Sequence, residues 1–185
     1  MTLSLQQINR ATQQEAVNFL YESNRIEGVT DTDSLKQAIE AWQYLLLVDE
    51  LSVSVILKVH KILMLHQFIR PNERGYFRKV PVWVGSREGE PWQMIPNAIS
   101  LWLDASNACV AFSKIDQAQE VEDNKEEIIS NRIRNDHIGF EKIHPFIDGN
   151  GRLGRILMNW QRIQCGLDIL VIWEIEKQEY YKWFI

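Results

Sequence analysis

Twelve consecutive residues, His144 to Arg155 (HPFIDGNGRLGR), bring together a histidine, a carboxylate, glycines on either side of an asparagine, and two arginines. Gly149 and Gly151 let the backbone take positive φ and come close to a ligand. Successive N–H groups of such a turn, leading into the first turn of a helix around Asn150, form a concave anion site that the helix dipole reinforces. Arg152 and Arg155 are three apart and therefore share a helix face. Their guanidinium forks match phosphate oxygens, and without an anion the two charges repel. Asp148, at the border of this cradle, suits Mg²⁺, which keeps several waters and bridges substrate oxygens. His144, at the end of the preceding segment, can stay neutral near pH 7 and accept a proton. The set is complete for transfer of a phosphate-containing group. His144 deprotonates an acceptor hydroxyl, Mg²⁺ and the loop amides hold the phosphates, and the arginines stabilise charge.

Other chemistries fail on the same residues. The P-loop pattern G-x-x-x-x-G-K-[ST] is absent. An EF-hand reading of DGNGRLGR puts Leu153 where glycine is required and Asn159 where a bidentate glutamate is required. His137, Glu141, His144 and Asp148 do not form H-E-x-x-H, and Pro145 breaks the helix that would align them as zinc ligands. A net charge of −5 supplies no basic field for nucleic acid. The start, MTLSLQQINRATQQEA, lacks the basic and apolar regions of a signal peptide. Apolar runs such as YLLLV and ILVIW are too short to span a membrane. Cys109 and Cys165 form no C-x-x-C pattern and read as reduced core thiols of a cytoplasmic chain.

These residues need a frame. At 185 residues with 45% hydrophobic content the chain reads as one domain, 1–185, with a core. Ala16, Val17, Phe19, Leu20 and Ile26 have helical spacing, with Gly28 as a stop. Leu35, Ala38, Ile39, Trp42, Leu45 and Leu46 form a second helical stripe behind capping residues. Helices are predicted over SVSVILKVHKILMLHQF and IPNAISLWLDASNACVAF, and over EEIISNRIRNDHIGFEKI up to His144, where Pro145 ends the helix. A last one runs from near Asn150 to about Cys165, capped by Gly166. The fold class is all-α. One segment differs: in 75–96, Val80, Val82 and Val84 alternate before the turn GSREGE, predicting a small β-hairpin. Pro81 makes its strand an edge strand. His60 reads as a core-edge or helix-surface residue, Trp42, Trp102 and Trp160 as core, and 120–127 as an acidic connection or helix start. Tyr180, Tyr181, Trp183 and Phe184 form an aromatic end that should pack on the domain.

HPFIDGNGRLGR resembles the signature of the Fic family, H-x-F-x-[D/E]-G-N-G-R-x-x-R, at every specified position. GYFRKVPVWVG and HIGFEKIHPF resemble the family's flap and the helix leading into its loop. The resemblance implies a compact helical domain with one hairpin flap, and AMP transfer from ATP to a Ser, Thr or Tyr hydroxyl of a target protein. It implies His144 as general base, Asp148 as Mg²⁺ ligand, Gly149, Asn150 and Gly151 as the anion hole, and Arg152 and Arg155 as phosphate ligands, Arg155 towards the γ-phosphate. Within it, 137–166 is the active helix-loop-helix, and the hairpin at 79–91, with Val80, Val82 and Val84, aligns the target segment by strand pairing.

The segment 1–28 carries a second signal. Glu27 closes a helix against the dipole, which costs some 0.3–1 kcal/mol unless a cation answers it. SNRIEG resembles the family's inhibitory pattern [S/T]-x-x-x-E-[G/N], with Ser23, Glu27 and Gly28 in register. That resemblance implies a Glu27–Arg155 pair that blocks the γ-phosphate position. Removal of AMP through the same pocket and an inactive nucleotide-binding regulator are the alternatives, and the intact His144 speaks against the latter. An exposed flap or aromatic end also offers a surface for a homodimer.

Overall fold

A computed structural model describes residues 14–85, 87–116 and 124–185. These residues form seven α-helices: α1 Gln14–Ile26, α2 Thr32–Leu46, α3 Val53–Leu63, α4 Ile95–Asp116, α5 Lys125–Ile143, α6 Asn150–Gln164 and α7 Lys177–Tyr181. The strands among them are β1 Trp83–Val84 and β2 Arg87–Glu88, and short 3₁₀ turns lie at Pro71–Glu73, Trp92–Met94, Glu174–Glu176 and Lys182–Phe184. The all-α expectation with one hairpin is met. Residues 1–13 of the N-terminal segment, Ser86 of the hairpin turn and 120–123 of the acidic connection lie outside the described residues.

Helix α6 sits at the centre, with α1, α2, α3, α4 and α5 all packed against it. Leu153, Ile156, Leu157, Met158, Trp160 and Ile163 are buried along it. A helix enclosed on every side must also find partners for its polar residues. Asn159 does so by accepting from Leu170 N (2.7 Å) and donating to Leu170 O (3.1 Å). Gln161 donates to Ser106 Oγ (2.8 Å) and to Asp136 Oδ2 (2.9 Å).

The helix ends follow local chemistry. Asp31 caps α2 by accepting from Ser34 N (2.8 Å), and Ser52 caps α3 by accepting from Val55 N (3.3 Å). Gly28 (φ 71°) and Gly166 (φ 83°) end α1 and α6 in the left-handed region, as their positions predicted. Trp42, Trp102 and Trp160 are core residues; Trp102 Nε1 donates to Asp136 O (2.7 Å), and Trp42 meets Phe19 edge-on. Cys109 and Cys165 are buried thiols, not joined in a disulfide, that meet in the core, where the hydrogen bond to Cys165 and burial push Cys109 up. The aromatic end packs inward through the buried Tyr180, with Trp183 and Phe184 edge-on to its ring.

The hairpin is shorter than the alternation at Val80, Val82 and Val84 predicted. Only Trp83↔Glu88 and Val84↔Arg87 pair as strands, with Gly89 N donating to Val82 O (3.0 Å) beyond them. Pro81 has no N–H to give a ladder, and the Val80 carbonyl is taken by Arg78 Nη1 (2.8 Å). Just upstream, Gly75 (φ 77°) passes so close to α3 that a Cβ there would lie 2.7 Å from Leu57 O and 2.8 Å from Lys61 Cβ. Gly75→Ala should therefore destabilise the fold by about 1–3 kcal/mol. Urea unfolding checks this, and an unchanged midpoint would contradict the close packing.

Candidate active site

The signature loop lies between α5 and α6. His144 ends α5 with its backbone in the left-handed region (φ 50°, ψ 62°), the only non-glycine there among the described residues. The proline that follows excludes helical geometry at this position. Phe146 is fully buried and drives the loop back into the core. Asn150 then locks it: its Oδ1 accepts from Phe146 N and its Nδ2 donates to Phe146 O, both at 2.9 Å. The Asn150 side chain is thus spent inside the loop, and only its amide is left to serve an anion. Gly149 (φ 80°) turns the chain into α6, whose first-turn amides have no partner within the helix.

Two residues hold this loop from outside, and sequence reasoning missed both as site residues. His60, expected at a core edge or on a helix surface, is completely buried. Its Nδ1 accepts from Gly75 N (2.8 Å), so Nε2 carries the proton and donates to Asp148 O (3.0 Å), while the ring stacks on Phe146 at 3.7 Å. Its helical neighbours are apolar, so its pattern was that of any core-lining histidine. Arg78, also buried, donates to His144 O (2.7 Å), Ile143 O (3.3 Å), Val80 O (2.8 Å) and Glu90 O (2.5 Å). It caps the end of α5 and ties the flap to His144. Nothing in its residue type or spacing marks it.

The two arginines of α6 are treated differently. Arg152 is buried, its Nη2 3.6 Å from Asp148 Oδ1 and 3.5 Å from Met64 Sδ, while Nε and Nη1 have no partner among the described residues. Desolvation lowers its pKa. Arg155 is only 1% exposed and fully engaged. Nε donates to Ser23 Oγ (2.9 Å), Nη2 to Ser23 O (2.9 Å) and Glu27 Oε1 (2.8 Å), and Nη1 to Tyr180 OH (3.3 Å). Ser23 and Glu27 thus meet Arg155 across the fold, with Gly28 ending their helix. The Glu27 carboxylate also fills the space where a Cβ of Gly151 would stand, directly over the loop. Tyr180 was expected only to pack; its hydroxyl makes it a third holder of Arg155.

Asp148 points outward, its side chain 52% exposed, with Oδ1 accepting from Gly149 N (2.6 Å). No cluster of three His, Cys, Asp or Glu side chains suited to a metal forms among the described residues. One exposed carboxylate beside an anion cradle fits a hard cation whose remaining ligands are phosphate oxygens and water. Val84 lies in β1 and Val82 next to it; Val80 is about half-exposed outside the paired strands. No described helix is long and apolar enough to cross a membrane.

Burial lowers His144 to about 4, His60 to about 4 and His137 to about 3. At neutral pH His144 therefore presents a free lone pair. All three values are depressed from 6.5, so the unfolded chain takes up protons that the folded one refuses as pH falls below about 6.5. Glu141, raised by burial to about 8, opposes one of the three above about pH 4.5. The net of about two protons should cut stability by about 2–3 kcal/mol per pH unit between pH 6 and 5. Denaturant unfolding at these pH values measures it, and equal midpoints would contradict neutral buried histidines.

The model of the Fic/DOC family matches residues 50–161, more than half of the chain. The protein named "Protein adenylyltransferase Fic" from Aedes aegypti is 28% identical over 137 residues, 72% of this chain and 24% of that protein. Its namesake from Drosophila erecta is 29% identical over 132 residues, 71% of this chain and 24% of that protein. The chain spans about a quarter of the length of these curated relatives. Among solved structures, Fic-1 from C. elegans superposes with a TM-score of 0.72 at 20% identity, over 97% of this chain and 57% of that one. A Fic domain containing signaling protein from Bacteroides thetaiotaomicron gives 0.69 at 17% identity, over 97% and 74%. Ser23, Glu27 and Tyr180 fall outside the matched 50–161, whereas the whole signature loop up to Arg155 falls within it. Loop, helical frame and sequence match agree: the chain belongs to the Fic/DOC family.

Proposed function

We propose that this chain is a protein adenylyltransferase, transferring AMP from ATP to a Ser, Thr or Tyr hydroxyl of a target protein, and that Glu27 restrains it. The observation that carries the reading is the asymmetry of the two arginines: Arg152 has two donor nitrogens unanswered in a buried cradle, and Arg155 is already claimed by Glu27. A buried, unanswered guanidinium is stable only with an anion at hand. The first-turn amides of α6 and Arg152 bind the α- and β-phosphates, and Arg155 is the ligand for the γ-phosphate. His144, neutral through burial, takes the proton of the attacking hydroxyl. The hydroxyl oxygen bonds to the α-phosphorus as the bond to the bridging oxygen breaks, and diphosphate leaves. Asp148 would hold Mg²⁺, which supplies neutralisation of phosphate charge when bound. The edge of the hairpin, tied to His144 through Arg78, is where an extended target segment adds.

Glu27 and a γ-phosphate compete for one guanidinium. With Glu27 in place, ATP binds with its phosphates displaced from the geometry that in-line attack requires. Relatives named as adenylyltransferases support the activity, and reduced thiols support an intracellular setting.

Incubation with ATP labelled on the α-phosphate compares wild type, Glu27→Gly and Glu27→Gly/His144→Ala by self-modification. Label in Glu27→Gly should exceed wild type at least about tenfold, equivalent to about 1.4 kcal/mol of barrier, and vanish with His144→Ala. A folded Glu27→Gly protein labelled no better than wild type would remove the brake. ATP binding without label in any sample would replace transfer by AMP removal or by nucleotide sensing.

A further inference from the structure

Three polar atoms that make no hydrogen bond among the described residues lie together beneath the base: Glu141 Oε1, His137 Nδ1 and His144 Nδ1. His137 and Glu141 project from the last two turns of α5 towards Gly154 of α6, and His144 follows as the cap of the same helix. Glu141 Oε2 lies 3.8 Å from His144 Nδ1. Glu141 Oε1 and the His137 ring both crowd the place where Gly154 lacks a side chain: a Cβ there would collide with Oε1 and stand 3.2 Å from His137 Nδ1. On its far side His137 Nε2 meets Tyr180 OH (2.8 Å), and Tyr180 holds Arg155 (3.3 Å). A buried carboxyl group thus sits between two neutral histidines, one of them the base, in a pocket that exists because residue 154 is glycine.

A general base must carry its proton on the nitrogen that does not face the substrate. For His144 that is Nδ1, the nitrogen facing Glu141. We propose that Glu141 is a positioning residue for His144: Oε2, 3.8 Å from Nδ1 in this structure, closes to hydrogen-bond distance when substrate is bound and accepts the Nδ1 proton, leaving the lone pair on Nε2 for the target hydroxyl, and Gly154 makes the room. This rests on His144 being the base. Burial pushes Glu141 up to about 8, with Arg155 acting against it and Glu27 with it, so near neutral pH the group is a carboxylic acid. An acid still suffices, because its carbonyl oxygen accepts from His144 while its hydroxyl answers His137 Nδ1. The competitor for the His144 proton is the backbone carbonyl of Glu141, which also faces the ring.

The test uses the Glu27→Gly chain with Glu141→Met, which keeps the volume and removes the acceptor, and with Glu141→Gln, which mimics the acid. Glu141→Met should lower the rate at saturating ATP by roughly tenfold or more, with the half-saturating ATP concentration moving less than about twofold. Glu141→Gln should stay within about threefold of its parent, because its amide carbonyl still faces the base. ¹⁵N spectra of labelled histidine, with His144 assigned by its loss in His144→Ala, should move from Nδ1–H to Nε2–H in the Met variant alone. Unchanged rate and tautomer in Glu141→Met would overturn the proposal in favour of the backbone carbonyl. A Gln variant as slow as the Met variant would overturn it too, since charge would then be the requirement. If Glu27→Gly transfers no AMP at all, the proposed function fails, and the tautomer shift alone decides the role of Glu141. If Glu141→Met does not fold, Gly154→Ala, which forces the carboxyl out of its pocket, must show the same loss and the same shift.

Discussion

A guanidinium with almost no exposure is the constraint around which this molecule is arranged. Breaking the pairing of such a group costs several kcal/mol, so Arg155 must be answered on every side. Its answers come from segments far apart in the chain: Ser23 from α1, Glu27 from the turn that follows it, and Tyr180 from α7. The same regions of the chain are also bound to each other. Glu22 accepts from Glu174 N (2.8 Å), and Arg25 reaches Glu174 at 3.4 Å. Helix α6 can be central and still carry charge because α1 with the residue after it, and α7, fold over it and supply acceptors.

One helical turn away, Arg152 meets almost none of these partners. It has a distant carboxylate, a methionine sulfur and two donor nitrogens unanswered among the described residues. On the proposed reading, the contrast between a satisfied and an unsatisfied arginine on one face gives the anion cradle two states. In one, seen here, Arg155 belongs to the protein; in the other, it would belong to a ligand. The loop itself does not have to move between them, since Asn150, Phe146 and His60 hold it without reference to either arginine.

How far the sequence could be read depended on how local each feature was. The loop, its glycines, its helix boundaries and the register of Ser23, Glu27 and Gly28 are short patterns whose physics is written within a dozen residues. Helical stripes likewise announced themselves, and with them the all-α class. What stayed hidden were residues whose role comes from meeting something distant. His60 has the pattern of a core histidine, because its partners at Gly75 and Asp148 are far off in the chain. Arg78 looks like any cation near a hairpin, and only the fold brings the end of α5 to it. Tyr180 is one aromatic among several until Arg155 arrives. The hairpin was read too long because alternation at Val80 and Val82 suggests a ladder, while the carbonyl that a ladder would use is diverted to Arg78.

That diversion has a consequence for how such a site can be readdressed. Every bond of the Arg78 side chain is to a main-chain oxygen: two at the end of the helix that leads into His144, and two in the flap. None of them asks for a particular side chain at Val80 or Glu90. The flap is therefore indexed to His144 largely through its main chain, as a jig holds a workpiece without regard to its paint, with one side chain, Arg87, adding a bond to Lys142 O (3.2 Å). The side chains of Val80 and Glu90 can be rewritten without touching those bonds, whereas a Cβ at Gly89 would stand 2.9 Å from Arg78 Nη2 and disturb them.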